Sequence, residues 1–268
     1  DTTVKSPKEL DRCATAPSLG AVLFDTNAKT QVLSALDATA VQSEGYRAIR
    51  ANLQYVNGDA PIHAFVVTSA APGDGKTTVA CNLAIAVAQA GRKVCLVEAD
   101  LRRPRVSEYL QLNAQTGLTE VLSGQIKLED ALQDWGRGML KVLPPGAIPP
   151  NPSELLGSHQ MAQVISNLKR EFDVVILDTP PLLAVSDAAV LASQADGAVV
   201  VVRHGKSSKD AVRNAVASLE QINANILGTV LNAVPVKRGG SYGYAYGYGY
   251  GDGKPSGDYK KPAIQQGA

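Results

Sequence analysis

The sequence predicts an α/β fold, in which a doubly wound, mostly parallel sheet is covered by helices on both faces. The first sign is a series of short apolar runs that are continuous rather than alternating, which is typical of parallel strands buried on both sides. The second is that Ala-rich helical stretches alternate with these runs. With 268 residues, of which 45% are hydrophobic and 19% charged, the chain can bury a substantial core.

The elements follow in a regular order along the chain. An amphipathic helix precedes the first core strand, and strands and helices then alternate. The expected strands are 63–69, 93–97, 140–143, 173–177, 197–202 and 226–231. The expected helices are 40–56, 76–90, 158–170, 184–195 and 207–222.

Composition divides the chain into three parts. Residues 1–38 contain several turn-forming residues and predict a loose lead-in, and residues 39–236 form the α/β domain. Residues 237–268 form a tail with nine of the 24 glycines and six of the nine tyrosines. Because this tail has almost no aliphatic residues, we expect it to be flexible, with a reach of about 30 Å.

Charge and cysteine content exclude several classes of protein. Lys and Arg number 26 against 25 Asp and Glu, so no overall positive charge recruits nucleic acid. Two of the three cysteines, Cys81 and Cys95, lie in apolar stretches, which predicts buried thiols rather than a secreted disulfide scaffold. No apolar run reaches the roughly 18 residues of a membrane span.

A glycine-containing loop after the first core strand predicts a phosphate site. In residues 65–78 a strand leads through this loop into a helix that begins near Lys76. Backbone N–H groups there face one anion, Lys76 neutralises phosphates, and the Thr77 hydroxyl completes a Mg²⁺ shell. Ala70 stands where the consensus has its first glycine, and the alternative is a turn that opens an ordinary helix. The expected nucleotide-binding residues are Pro72, Gly73, Asp74, Gly75, Lys76, Thr77 and Thr78.

Acidic residues follow two further strands. Asp178 ends the run 174–178, where an acid lies beside the phosphate loop and can serve the metal, although such a residue often only caps a helix. Glu98 and Asp100 follow the run 94–97, and their spacing predicts that both point the same way. One of them would hold Mg²⁺ while the other accepts a proton, and Arg102 would steady phosphate charge. The alternative for this second group is a solvated charged loop.

These residues together resemble the bacterial P-loop tyrosine kinases of capsule and exopolysaccharide synthesis. The resemblance rests on the phosphate loop, the segments 98–104 and 174–181, Glu44-x-x-Arg47-x-x-Arg50, the Pro-Asn-Pro-Ser-Glu-Leu-Leu segment at 150–156 and the tyrosine-rich tail. It implies a P-loop NTPase-like fold and an enzyme that transfers phosphate from ATP, with Mg²⁺, to protein tyrosine.

The resemblance also implies roles for individual residues. Lys76 and Asp178 would act with Asp100, which accepts the phenolic proton, and Thr77, Asp178 and Asp100 would hold the metal. Asn232 would contact adenine, although a turn residue at the end of a strand explains it nearly as well. The acceptors would be tail tyrosines of a neighbouring subunit, namely Tyr242, Tyr244, Tyr246, Tyr248, Tyr250 and Tyr259.

Partners follow from the same resemblance. Glu44, Arg47 and Arg50 would form subunit contacts in a homo-oligomeric ring, whereas a self-paired exposed helix face is the ordinary explanation of this spacing. A membrane-anchored segment or a separate activator would place the domain on the cytoplasmic face of the plasma membrane, and a tyrosine phosphatase would reverse the modification. The protein would regulate polymer synthesis and export.

Two positions depart from the pattern. Glu98 replaces the usual Asp, and Ala71 stands where related partitioning ATPases have a lysine. The alternative function is a P-loop ATPase switch that binds partners without phosphorylating protein. A third possibility, an adhesive domain that acts through its tail, requires that ATP not bind.

Overall fold

A computed structural model describes residues 2–24, 32, 41–58, 60–136, 138 and 140–235. The six tail tyrosines named above lie outside the described residues, as does most of the segment that joins Phe24 to Val41.

The described residues form one eight-stranded sheet in the order β1-β8-β7-β2-β6-β3-β5-β4. All neighbouring strands are parallel except β4 and β5, which are antiparallel. The strands are β1 (Ser18–Phe24), β2 (Ala64–Ser69), β3 (Val94–Glu98), β4 (Gln133–Trp135), β5 (Leu140–Leu143), β6 (Val174–Asp178), β7 (Ala198–Arg203) and β8 (Ile226–Pro235).

Helices cover both faces of this sheet. Ser158 and Ser208 start two of them, since each side-chain oxygen accepts a hydrogen bond from a backbone N–H three residues on. In the described part of the chain, no helix has the length and apolar character needed to cross a membrane. The helices are α1 (Pro7–Asp11), α2 (Val41–Leu53), α3 (Lys76–Gln89), α4 (Val106–Leu110), α5 (Leu118–Leu122), α6 (Leu128–Ala131), α7 (Pro152–Leu156), α8 (His159–Glu171), α9 (Asp187–Gln194) and α10 (Lys209–Gln221).

The core consists of two apolar layers, one on each side of the sheet. In β2, Ala64 and Val66 belong to the layer under α8, α9 and α10, and Phe65 and Val67 to the layer under α2 and α3. Successive side chains of a strand point to opposite faces, so a strand that is covered on both sides must be apolar throughout. This is why the predicted strands were continuous apolar runs.

The predicted fold class is confirmed, and the six predicted strands and five predicted helices are all present. The expectation of a loose lead-in is wrong for residues 2–24, because β1 pairs with β8 and α1 packs Leu10 into the core. Val4 N–H also donates to Ser207 O in the loop after β7 at 3.0 Å, and Thr2 O accepts the N–H of Lys209 at the start of α10 at 2.8 Å. The division at residue 38 remains a prediction.

Candidate active site

Three neighbouring strands end at one edge of the sheet. β2 lies next to β6, and β6 lies next to β3. Their register places Asp178 beside Val67 of β2 and beside Glu98 of β3. The loop after β2 and the two acidic segments therefore start from adjacent points, which is where open parallel sheets bind ligands.

The loop from β2 to α3 has the backbone shape of a phosphate site. Gly73 and Gly75 have φ angles of +81° and +92°, a region that other residues rarely adopt. A Cβ on Gly75 would lie 2.1 Å from the Asn232 amide nitrogen, so a side chain here would displace Asn232. Gly75 is the N-cap of α3 and has no side chain there, so the first N–H groups of the helix face outward for an anion.

Three residues from distant elements hold this loop by its backbone. Asn232 Nδ2 donates to Asp74 O at 3.0 Å, and Arg203 Nη1 and Lys206 Nζ donate to Gly73 O at 2.9 Å and 3.3 Å. Burial raises the pKa of Asp74, against the lowering effect of a hydrogen bond from Ser207. No local pattern singles out Arg203, the last residue of β7, or Lys206 in the loop after it, because both are distant in sequence from Gly73.

Lys76 joins the predicted acidic residues into one cluster. Its Nζ lies 3.0 Å from Asp100 Oδ2 and 3.9 Å from Asp178 Oδ1. Burial alone would lower the pKa of Lys76, but the Asp178 and Asp100 carboxylates outweigh it and raise that pKa. The lysine therefore remains a cation among two carboxylates, as phosphate binding requires.

Asp178 has the features of a metal ligand. It is fully buried, its Oδ2 accepts the Thr77 hydroxyl at 2.8 Å, and within the described part of the chain its Oδ1 accepts no hydrogen bond. Burial raises the pKa of Asp178 to about 7, although Lys76 and Thr77 oppose this. A buried carboxylate oxygen without a hydrogen bond, beside a hydroxyl, suits Mg²⁺, which takes oxygen ligands and keeps substrate phosphates in its shell.

Glu98 and Asp100 do not point the same way, so that expectation is wrong. β3 ends at Glu98, and Asp100 lies in the loop beyond it. Glu98 turns to the start of α4, where its two oxygens accept Val106 N–H at 2.5 Å and both the N–H and the hydroxyl of Ser107. Burial raises the pKa of Glu98 against these hydrogen bonds. The geometry gives Glu98 a structural task, and its predicted part in catalysis remains a prediction.

Arg102 also has a partner outside the phosphate loop. Its guanidinium forms two hydrogen bonds with Asp187, at 2.8 Å and 3.2 Å, and a third with Ser153 Oγ at 2.9 Å. The helix that contains Ser153 begins at Pro152, but Asn151 caps no backbone group and instead donates to the Glu154 carboxylate. Asn151 and Glu154 therefore form a side-chain pair at the start of this helix.

A small pocket opens beside Gly75 and Thr78 on the β8 side of the loop. Asn232 lies in its wall, together with residues of β1, which was not predicted, and of α2. The pocket is lined by Val22, Leu23, Phe24, Gln42, Tyr46, Gly75, Thr78, Arg203, Asn232 and Ala233. Its place next to the phosphate loop suits the base of a nucleotide. The pocket residues of β1 and α2 were not predicted as site residues, because they lie early in the chain, far in sequence from the phosphate loop.

The residues predicted for subunit contacts lie in two environments. Glu44 and Arg47 form an exposed ion pair at 3.0 Å within α2. Arg50 instead turns to α3 and donates to Ala86 O at 2.9 Å. An ion pair therefore joins only the first two of the three residues, and their predicted part in a subunit interface remains a prediction.

Comparisons with known proteins agree with this site. The family described as AAA domain matches residues 64–231. The chain is 40% identical over 213 residues to tyrosine-protein kinase YwqD of Bacillus subtilis (strain 168), which covers 80% of this chain and 90% of that protein. It is 39% identical over 201 residues to tyrosine-protein kinase Etk of Escherichia coli (strain K12), which covers 75% of this chain but 28% of that protein.

Solved structures give the same result for the fold. The kinase domain of Escherichia coli tyrosine kinase ETK superposes with a TM-score of 0.81 and 31% identity, over 92% of this chain and 100% of that chain. The chimerical protein CapA2B2 superposes with a TM-score of 0.80 and 33% sequence identity, over 86% of this chain and 100% of that chain. The cell division ATPase MinD of Pyrococcus furiosus superposes with a TM-score of 0.55 and 31% sequence identity, over 63% of this chain and 71% of that chain.

Proposed function

Because this chain belongs to the bacterial P-loop tyrosine kinases, we propose that it transfers phosphate from ATP to tyrosines in the C-terminal tail of a neighbouring copy of itself. The observation that supports this most is the meeting of Lys76, Asp100 and Asp178 at the edge of the glycine loop. The acceptors are Tyr242, Tyr244, Tyr246, Tyr248, Tyr250 and Tyr259 of a neighbouring subunit.

The protein's own side chains would orient the triphosphate and take up the proton. Residues 72–78 bind the phosphates through backbone N–H groups, and Lys76 neutralises their charge. Asp100, a buried carboxylate that lies beside Lys76 at the end of the phosphate loop, accepts the phenolic proton. Alignment and charge stabilisation supply most of the acceleration, because the transition state of phosphoryl transfer is loose.

Thr77 and Asp178 would hold Mg²⁺, with Asp100 close by. When bound, the metal neutralises charge on the β- and γ-phosphate oxygens. The hydrogen bond from the Thr77 hydroxyl to Asp178 Oδ2 would keep this carboxylate aligned for the metal. Asn232 and the pocket beside it would receive adenine.

The N-terminal residues would connect the site to the membrane. Val4 accepts Gly205 N–H at 2.8 Å, and the same loop contributes Arg203 and Lys206 to the carbonyl of Gly73. A membrane-anchored segment or activator joined to this region would therefore act on the phosphate loop in two steps. The first is the contact of Val4 with the loop after β7, and the second is the contact of Arg203 and Lys206 with Gly73. Together with a ring of subunits and a tyrosine phosphatase, such a kinase would regulate capsule or exopolysaccharide export from the cytoplasmic face.

The test is transfer of labelled phosphate from ATP to the chain. Wild type should label its tail, Lys76→Met should label nothing, and the variant with all six tail tyrosines changed to Phe should bind ATP without labelling. Mass spectrometry then assigns the modified tyrosines. Label that reaches water but never tyrosine would instead support an ATPase switch, which the likeness to MinD keeps as the second candidate.

A further inference from the structure

Asp187 and Arg102 join the two loops that bear the site carboxylates. Arg102 lies two residues after Asp100, and Asp187 begins α9, nine residues after Asp178. The segments leave the tips of neighbouring strands and meet again at this pair. The ion pair is therefore a bridge across the far side of the site from the phosphate loop.

The bridge is geometrically specific. Arg102 Nε donates to Asp187 Oδ2 at 2.8 Å, and Nη2 donates to Asp187 Oδ1 at 3.2 Å. Ser153 lies between them, accepting from Arg102 Nη2 and donating its hydroxyl to Asp187 Oδ1. Two parallel bonds of a guanidinium to a carboxylate fix orientation as well as distance.

Burial indicates which partner determines the position. Asp187 is fully buried, whereas the Arg102 side chain is 37% exposed. A buried ion pair adds little net stability, because the desolvation of the charges offsets their attraction. The pair therefore contributes a fixed geometry rather than net stability.

A short path leads from this bridge to the metal-binding carboxylates. The residue after Arg102, Arg103, donates its backbone N–H to Asp100 Oδ1 at 3.0 Å. Asp100 Oδ2 in turn bonds Lys76, which also lies 3.9 Å from Asp178. Release of Arg102 would free the backbone that holds Asp100 in its orientation.

We infer that Asp187 is a positioning residue which, through Arg102, holds Asp100 and Asp178 at the spacing that Mg²⁺·nucleotide requires. The inference rests on the proposed function, since it concerns the metal-assisted part of nucleotide binding. Arg102 thereby acts on nucleotide binding through Asp100 and not by contact with the phosphates. Loss of a residue that orients metal ligands lowers metal affinity by about 10- to 100-fold.

The test is calorimetric binding of ADP with and without Mg²⁺ to the full chain. Wild type should bind ADP more tightly with Mg²⁺, and Asp187→Asn should keep the metal-free affinity but lose about 10- to 100-fold of the gain. Arg102→Lys, which keeps the charge and loses the paired geometry, should lose part of it. The matched control is Asp196→Asn, which removes a carboxylate bonded to Lys169 and to the start of β2, away from the site.

The outcomes separate the two ideas. If wild type gains nothing from Mg²⁺, the proposed function fails and this inference fails with it. If wild type and Asp196→Asn gain and Asp187→Asn gains equally, only the positioning role is overturned. Should Asp187→Asn not fold, as judged by circular dichroism, Arg102→Lys decides, and an undiminished gain in that variant also overturns the role.

Discussion

Thr77 donates its hydroxyl to Asp178 Oδ2 at 2.8 Å, across the gap between α3 and β6. The residue after the phosphate-loop lysine is thus bonded to the tip of the neighbouring strand. The other oxygen of Asp178 lies 3.9 Å from Lys76 Nζ and accepts no hydrogen bond within the described residues. Asp178 is therefore a buried carboxylate with one oxygen that lacks a hydrogen bond, and its protonation can be measured.

Asp178 should make the stability of the nucleotide-free chain depend on pH. Its pKa of about 7 lies above the ordinary value of 3.8, so the folded state binds this proton more tightly than the unfolded state. The resulting stabilisation is complete below pH 3.8 and is lost as the pH rises through 7. Lys76, whose pKa is raised from 10.5, stays charged throughout this range.

The measurement is urea unfolding of wild type and Asp178→Asn from about pH 5 to 8, without nucleotide or Mg²⁺. The free energy of unfolding of wild type relative to the variant should fall with rising pH. Parallel pH profiles for the two proteins would show that Asp178 does not titrate in this range.

Asp100→Asn should lower kcat by about 100-fold, because it removes the proton acceptor and one of the two carboxylates around Lys76. The KM for ATP should also rise, because Asp100 is one of the two carboxylates around Lys76 that are proposed to position Mg²⁺ for the nucleotide. Initial-rate kinetics of tail phosphorylation measure both constants. An unchanged kcat would remove Asp100 from the mechanism.

Glu98→Gln should act on stability rather than catalysis. The change disturbs a buried carboxylate that accepts two backbone N–H groups and one hydroxyl at the start of α4, which should cost about 1–3 kcal/mol of the free energy of unfolding. Its kcat should stay within the same order of magnitude as wild type. A fall in kcat like that of Asp100→Asn, with stability unchanged, would instead support the catalytic role that the sequence predicts.

The six core strands and the phosphate loop could be predicted from the sequence because both depend on local patterns. Continuous apolar runs report burial on both faces, and the glycine loop with Lys76 reports its own backbone shape. The orientation of Glu98 relative to Asp100 depends on where β3 ends, and the spacing of the two acids does not show where that is. Arg102 binds a carboxylate 85 residues away, and no local pattern specifies such a pair. β1 was missed because it is an edge strand whose one partner, β8, is at the other end of the sequence.

The three charged residues of α2 should separate into two classes. Removing both charges of the exposed pair, as in Glu44→Ala with Arg47→Ala, should reduce the mass of the assembly measured by light scattering while leaving stability nearly unchanged. Arg50→Ala should cost about 1 kcal/mol of stability, since it loses the bond to Ala86 O. An unchanged mass in the double variant would leave the pair as an ordinary surface ion pair.

ATP should convert the tail from basic to acidic and so open the assembly. Between residues 237 and 268 the chain has five Lys or Arg and two Asp, and each phosphate adds a charge of about −1.5 to −2. Modification of several tyrosines would therefore make neighbouring tails repel one another. Light scattering should show a smaller particle after incubation with Mg²⁺ and ATP, and the variant with six Phe in place of the tail tyrosines should keep its mass. A phosphorylated tail in a particle of unchanged mass would contradict this regulation while leaving the kinase activity intact.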